Sequence, residues 1–223
     1  MNMKTNIKAF VFDVYGTLFD VHSVIEKCNH FFPGKGVEIS QTWRKKQLEY
    51  ANLREIMGNY ETFLSITKDA LCYAVANHEG KLDAATEDAL IQAYFQLSVY
   101  EEVEDVLRKL GNKQLAVFSN GSHDMLDPLI EQSKLQNVFD HVISADEVKT
   151  FKPAPRSYDY ATKKINVKPD EILFMSSNGW DISGAKNFGY HTAWINRQNS
   201  PTEELNLVPD KIYKDLTGIL EWD

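Results

Sequence analysis

The run Ile7–Phe12, IKAFVF, is an almost unbroken string of apolar, strand-forming residues that stops on a carboxylate, Asp13. A strand without polar alternation must be covered on both faces, which is the habit of strands inside a parallel sheet. Similar runs recur at Leu115–Phe118, Ile172–Met175 and Thr192–Ile195, with shorter ones at Val142–Ile143 and Lys211–Tyr213. Between them the pattern turns helical. Glu101–Leu110 carries Val103, Val106, Leu107 and Leu110 at i, i+3, i+4 and i+7, and Pro155 stands where a helix from about Arg156 would begin. Strands alternating with helices predict an α/β protein with a doubly wound parallel sheet.

Residues 20–97 break that alternation. They hold no strand pattern and offer helices instead: near Val24–Phe31, from Ser40 past Met57, and with Phe63, Ile66, Ala70 and Ala74 on one face. A fourth carries Leu90, Ala93, Tyr94 and Leu97. A helical block set between the first strand and the others predicts two domains, a core of residues 1–19 and 98–223 and an all-helical cap of residues 20–97.

Composition narrows the partners. With 43% hydrophobic residues the chain can bury a sizeable core, and a net charge of −8 disfavours a nucleic-acid backbone as ligand. No apolar run approaches the roughly 20 residues that span a bilayer, and Met1–Lys8 lacks a secretory apolar stretch. A cytoplasmic protein without membrane contact is expected. Cys28 and Cys72 lie in helix-like stretches without paired spacing, so both read as buried free thiols, in keeping with a reducing compartment. The six histidines form no H-x-x-x-H or Cys/His cluster and read as surface or packing residues, so no metal or other cofactor is expected.

In an open parallel sheet, ligands bind beyond the carboxyl ends of the strands. The residues just past each apolar run therefore matter most. Asp13-Val14-Tyr15-Gly16-Thr17 comes after the first, Ser119-Asn120-Gly121-Ser122 after the next, Phe151-Lys152-Pro153 after the third region, and Ser176-Ser177-Asn178-Gly179-Trp180-Asp181 after the fourth. Each has an ordinary reading alone: Asp13 as a turn residue, Ser122 as a helix N-cap, Lys152-Pro153 as a surface turn, Asp181 as a helix-start acid. Four at consecutive strand ends converge on one edge.

That order resembles the haloacid dehalogenase superfamily, and Asp13-x-Tyr15-Gly16-Thr17-Leu18-Phe19-Asp20 resembles its L-2-haloacid dehalogenase branch. The cap stretch Trp43-Arg44-Lys45-Lys46-Gln47-Leu48-Glu49-Tyr50 and the segment Trp194-Ile195-Asn196-Arg197 extend the resemblance over nearly the whole chain. It implies a Rossmann-like core under a helical cap and metal-independent hydrolysis of short L-2-haloalkanoic acids. Phosphatases of the superfamily carry a second acid two residues after the nucleophile, where this chain has Tyr15, and further acids for magnesium, where it has Ser176 and Ser177. Halide needs no proton to leave.

Carried over, the resemblance makes Asp13 the nucleophile and Lys152 the cation that keeps it charged and helps hold the substrate. Ser119 and the backbone amides after Asp13 would take the substrate carboxylate; Arg44 and Asn120 would receive the halide. Asp181, with Ser176 and Asn178, would orient or activate water. Thr17 and Tyr158 would be supporting polar contacts, with Tyr15, Tyr158 and Trp180 near the substrate. The resemblance also implies a homodimer paired through helical surfaces. From the residues alone, Arg44 reads as part of a solvated face with Lys45, Lys46 and Glu49, and Trp43 and Trp180 read as packing. A phosphatase or other small-molecule hydrolase, or a non-catalytic binding protein, would share the same fold.

Overall fold

The computed structural model describes residues 6–111 and 113–222. The N-terminal part of Met1–Lys8 and both outer limits of the expected core thus lie outside the described residues. In chain order the strands are β1 (Ala9–Phe12), β2 (Phe19–Asp20), β3 (Ser98–Val99), β4 (Gln114–Ser119), β5 (His141–Ser144), β6 (Ile172–Ser176), β7 (His191–Ile195) and β8 (Lys211–Tyr213). The helices are α1 (Ile25–Phe31), α2 (Gly36–Met57), α3 (Phe63–Asn77), α4 (Ala84–Tyr94), α5 (Val103–Lys109), α6 (His123–Gln132), α7 (Pro155–Ile165) and α8 (Gly179–Phe188).

Six strands form one parallel sheet in the order β5-β4-β1-β6-β7-β8. The winding reverses at β1, which lies between β4 and β6, so the switch-point crevice opens directly after Phe12. All four residues of β1 are buried, as its unbroken apolar run requires. Its side chains alternate between two cores. Phe10 and Phe12 join Leu115, Val117, Leu173 and Met175 on one face, while Ala9 and Val11 join Ala116, Phe118 and Phe174 on the other with Tyr158 and Ile165 of α7 and Ala185 of α8.

The four helices α1–α4 come after β2 and return through β3. The first sheet-face cluster continues without a break through Tyr15 and Leu18 into this helical block, reaching Ile39, Trp43, Phe63, Ala70 and Leu90. Full burial of one such large side chain contributes about 2 kcal/mol, so the block is seated on the sheet by several of them. A two-residue antiparallel ribbon, Phe19 with Val99 and Asp20 with Ser98, forms the neck. The pattern for residues 20–97 gave no sign of this ribbon, and its Asp20–Ser98 pair straddles the expected boundary. Arg197 clamps the neck: its guanidinium donates to Thr17 O at 2.9 Å, pairs with Glu102 at 2.6 Å and lies 3.7 Å above the Tyr100 ring.

Some local expectations need correction. The long cap helix begins at Gly36 rather than Ser40, because Asn29 Oδ1 accepts the Gly36 N–H at 2.9 Å. It stops at Gly58, whose φ of 65° suits glycine in a left-handed cap. Leu97 lies beyond the end of α4. Ser122 occupies the N-cap position of α6, but its hydroxyl donates to Asp124 and makes no cap bond. Cys28 is buried as expected, whereas Cys72 is exposed on the outer side of α3.

Candidate active site

Asp13 is the first residue past β1, and its N–H donates to Met175 O of β6 at 2.8 Å, which fixes its backbone at the switch point. The residue is 5% exposed, and its two carboxylate oxygens are unequally hydrogen-bonded. Oδ2 accepts three hydrogen bonds, from Thr17 Oγ1 at 2.9 Å, Asn178 Nδ2 at 3.0 Å and Ser176 Oγ at 3.2 Å. Oδ1 accepts one, from Lys152 Nζ at 2.8 Å. Thr17 can reach back because Gly16 turns the chain with φ of 90°, and a side chain at Gly16 would meet Ser177 Oγ at 2.8 Å.

Lys152 lies in the loop after β5. Its ammonium spends its three protons on Asp13 Oδ1, Phe118 O at 3.0 Å and Asp181 Oδ2 at 2.6 Å. Asn120 clamps the lysine's backbone, accepting its N–H at 2.7 Å and donating to its carbonyl at 3.3 Å. Burial alone would lower the ammonium's affinity for its proton, but Asp13 and then Asp181 more than compensate and hold it above the ordinary value.

Asp181, in the first turn of α8, is wholly buried, and burial pushes its carboxyl up to about 6 against the pull of Lys152. Its second oxygen accepts Tyr158 Oη at 2.7 Å. Tyr158, expected as a supporting polar contact near the substrate, is fully buried, and its hydroxyl also donates to the Asp181 backbone carbonyl at 3.2 Å. Ser119, at the end of β4, is also buried, its hydroxyl accepting the Gly121 N–H at 3.0 Å. Gly121 is packed so closely on Tyr15 that an added Cβ would come within 2.8 Å of its ring.

The cap contributes Arg44 from α2. Its guanidinium donates to Tyr15 O at 3.2 Å and to Gln47 Oε1 at 2.7 Å. Gln47 is fully buried, donates to Thr67 Oγ1 of α3 at 2.7 Å and accepts Tyr94 Oη of α4 at 3.1 Å. Sequence reasoning gave Gln47 no role; its spacing three residues after Arg44 on a helix was the available signal. It also missed Glu55. That carboxylate reaches from the end of α2 to accept Thr150 Oγ1 at 3.0 Å and the Phe151 N–H at 2.8 Å, fixing the two residues before Lys152.

Two cavities flank Leu48 between cap and core. One, of about 240 Å³, is walled by Tyr15, His22, Arg44, Tyr100, Asn178 and Arg197. The other, of about 350 Å³, is walled by Lys45, Ala51, Asn120, Lys152, Pro153 and Trp180. Asp13 lines neither directly, but it is bonded to Asn178 of the first and Lys152 of the second. Tyr15, whose hydroxyl is buried without a partner, packs between Phe63 and Tyr94.

Among the described residues no three His, Cys, Asp or Glu side chains gather as a metal cluster. Asp13 and Asp181 share the Lys152 ammonium. No helix among the described residues is long and apolar enough to cross a membrane.

The model of the haloacid dehalogenase-like hydrolase family matches residues 7–189. The chain is 43% identical over 217 residues to the (S)-2-haloacid dehalogenase of Pseudomonas sp. (strain YL), covering 96% of this chain and 94% of that one. It is 42% identical over 219 residues to the (S)-2-haloacid dehalogenase of Pseudomonas putida, covering 97% and 96%. Its structure superposes with a TM-score of 0.92 on the L-2-haloacid dehalogenase of Xanthobacter autotrophicus with chloropropionic acid covalently bound, at 37% identity and coverage of 96% and 97%.

Proposed function

The chain belongs to the haloacid dehalogenase-like hydrolase family, and from that premise we propose that it hydrolyses the carbon–halogen bond of short L-2-haloalkanoic acids, giving D-2-hydroxy acids through an ester on Asp13. The observation that carries this reading is the unequal holding of the Asp13 carboxylate, together with Tyr15 in place of a second acid two residues on. Oδ1, held only by Lys152, is the oxygen free to attack the α-carbon. Oδ2, held by Thr17, Ser176 and Asn178, becomes the ester carbonyl oxygen.

In the first half-reaction a lone pair of Oδ1 forms the new C–O bond as the carbon–halogen electron pair departs on the halide, inverting the carbon. Arg44 and Asn120 receive the halide, where negative charge grows in the transition state. Ser119 and the backbone amides after Asp13 take the substrate carboxylate, while Tyr15 and Trp180 line its space. In the second, water adds to the ester carbonyl and Asp181 takes its proton. The three donors around Oδ2 then face the developing oxyanion, the arrangement that preorganised stabilisation requires. Collapse releases the hydroxy acid and restores the carboxylate with one oxygen from water. Covalently bound chloropropionic acid in the Xanthobacter relative supports a covalent path.

The reading includes a cytoplasmic location, supported by two cysteines without a disulfide, and a homodimer. Leu53, Ile56 and Met57 of α2 and Tyr73 of α3 expose an apolar face that a second copy would cover. Sedimentation should give twice the mass of one chain. The test of the chemistry is chloride and D-lactate released from L-2-chloropropionate in the presence of a strong chelator, with the D-enantiomer refused. Equal use of both enantiomers, or activity recovered only with added magnesium, would overturn it.

A further inference from the structure

The larger cavity beside Asp13 carries one charge with no partner in it. Lys45, Leu48, Glu49 and Asn52 fall at i, i+3, i+4 and i+7, so one face of α2 forms a wall, with Trp180, Pro153 and the buried Asn120 and Lys152 completing the lining. Three of these residues are ionic. Lys152 is committed to Asp13, Asp181 and Phe118 O, and Glu49 is paired with Lys46 at 2.9 Å. Lys45 has no carboxylate within ion-pair distance among the described residues, and it is an exposed residue that lines the cavity.

A cavity of about 350 Å³ exceeds what the methyl group of a three-carbon acid fills. Leu48, Ala51, Pro153 and Trp180 offer apolar contact within it, and Lys45 shares the α2 wall with Glu49 and Asn52. On a chain of net charge −8, an exposed cation without an ion-pair partner in a cavity wall favours an anion there.

Building on the dehalogenase reading, we propose that this cavity takes the α-substituent of a longer 2-haloacid and that Lys45 binds a second, distal carboxylate, making 2-halo-dicarboxylates a substrate class of the enzyme. The bond changes are those already described at Asp13. The distal carboxylate alters only binding, and the long lysine stem lets the ammonium reach chains of different length while its methylenes lie on the wall.

The test compares kcat/KM for halide release from matched L-enantiomers: 2-chlorosuccinate with 2-chlorobutyrate, and 2-chloroadipate with 2-chlorohexanoate. Each pair is measured in the wild type, Lys45→Gln and Lys45→Glu. The ratio of dicarboxylate to monoacid in the better pair should fall by about fivefold in Lys45→Gln, the scale of a half-solvated ion pair, and further in Lys45→Glu. In about 0.5 M salt the wild-type ratio should approach that of Lys45→Gln. Equal loss on both members of each pair would make Lys45 a general attractor of carboxylates and overturn the proposal, as would a ratio that is the same in all three proteins. Halide release from the monoacids with no such dependence leaves the dehalogenase reading intact while sinking this one. No halide from any monoacid sinks both.

Discussion

The core and the cap hold their parts of the site in different ways. Of the donors to the Asp13 carboxylate, Ser176 ends β6, Asn178 stands two residues past it and Thr17 two residues before β2. Lys152, eight residues past β5, has its backbone held by Asn120, the first residue past β4. Arg44 stands on a helix with no strand to fix it, and its direction depends on Gln47, which depends on Thr67 and Tyr94 of two further helices. Preorganisation in the core is thus a property of backbone topology. In the cap it is a property of a buried side-chain relay, which single substitutions can loosen without unfolding the sheet.

The comparison predicts graded damage. Asp13→Asn should be the most severe, lowering turnover by about four orders of magnitude or more, since a neutral amide neither attacks nor pairs with Lys152. A single turnover with excess wild-type enzyme in oxygen-18 water sharpens the point. Label should enter the peptide containing Asp13 and be absent from the first hydroxy acid released. Label in that first product with Asp13 unlabelled would mean direct attack by water.

Arg44→Ala should come next, with kcat down about a hundredfold and KM changed far less, because its charge counts most as the halide leaves. Gln47→Leu leaves Arg44 present but held by Tyr15 O alone among the described residues. Turnover should drop about tenfold, and the Tyr94 hydroxyl and the Thr67 hydroxyl each lose a buried partner, which costs about 1–3 kcal/mol of stability. Denaturant unfolding and steady-state kinetics on one preparation separate the two effects. If Gln47→Leu lost stability with kcat intact, the relay would be scaffolding alone.

The same contrast decides what could be read from the sequence. Asp13, Lys152, Ser176, Asn178 and Asp181 stood out because each comes after an apolar run, and a parallel sheet brings such positions to one edge whatever the distant details. The neck ribbon was invisible because two-residue strands carry no periodicity. Gln47 had only its i+3 spacing from Arg44 to mark it, and Glu55 nothing, because their partners, Thr67 and Tyr94 for one and Thr150 and Phe151 for the other, are set by tertiary packing. Tyr158 was named through the resemblance, as a supporting polar contact, and its place on the inner face of α7 lets its hydroxyl bond Asp181.

Tyr158 also gives the mildest and most specific prediction. Burial raises the Asp181 carboxyl to about 6, and the base form needed to take a proton from water is lost as the pH falls through that value, so kcat should decline on the acid side there. The Tyr158 hydroxyl donates to this carboxylate and favours its ionised form, opposing the effect of burial. Removing the donor in Tyr158→Phe leaves burial less opposed and should move the acid limb of kcat upward by about one pH unit, the scale of one hydrogen bond to a charged group. Above pH 8, where Asp181 is ionised in both proteins, kcat should differ by less than about threefold. A tyrosine touching the substrate would behave otherwise: its loss would raise KM at every pH and leave the limb in place. A pH series of kcat and KM for the two proteins therefore distinguishes a residue that acts through Asp181 from one that acts on the haloacid itself.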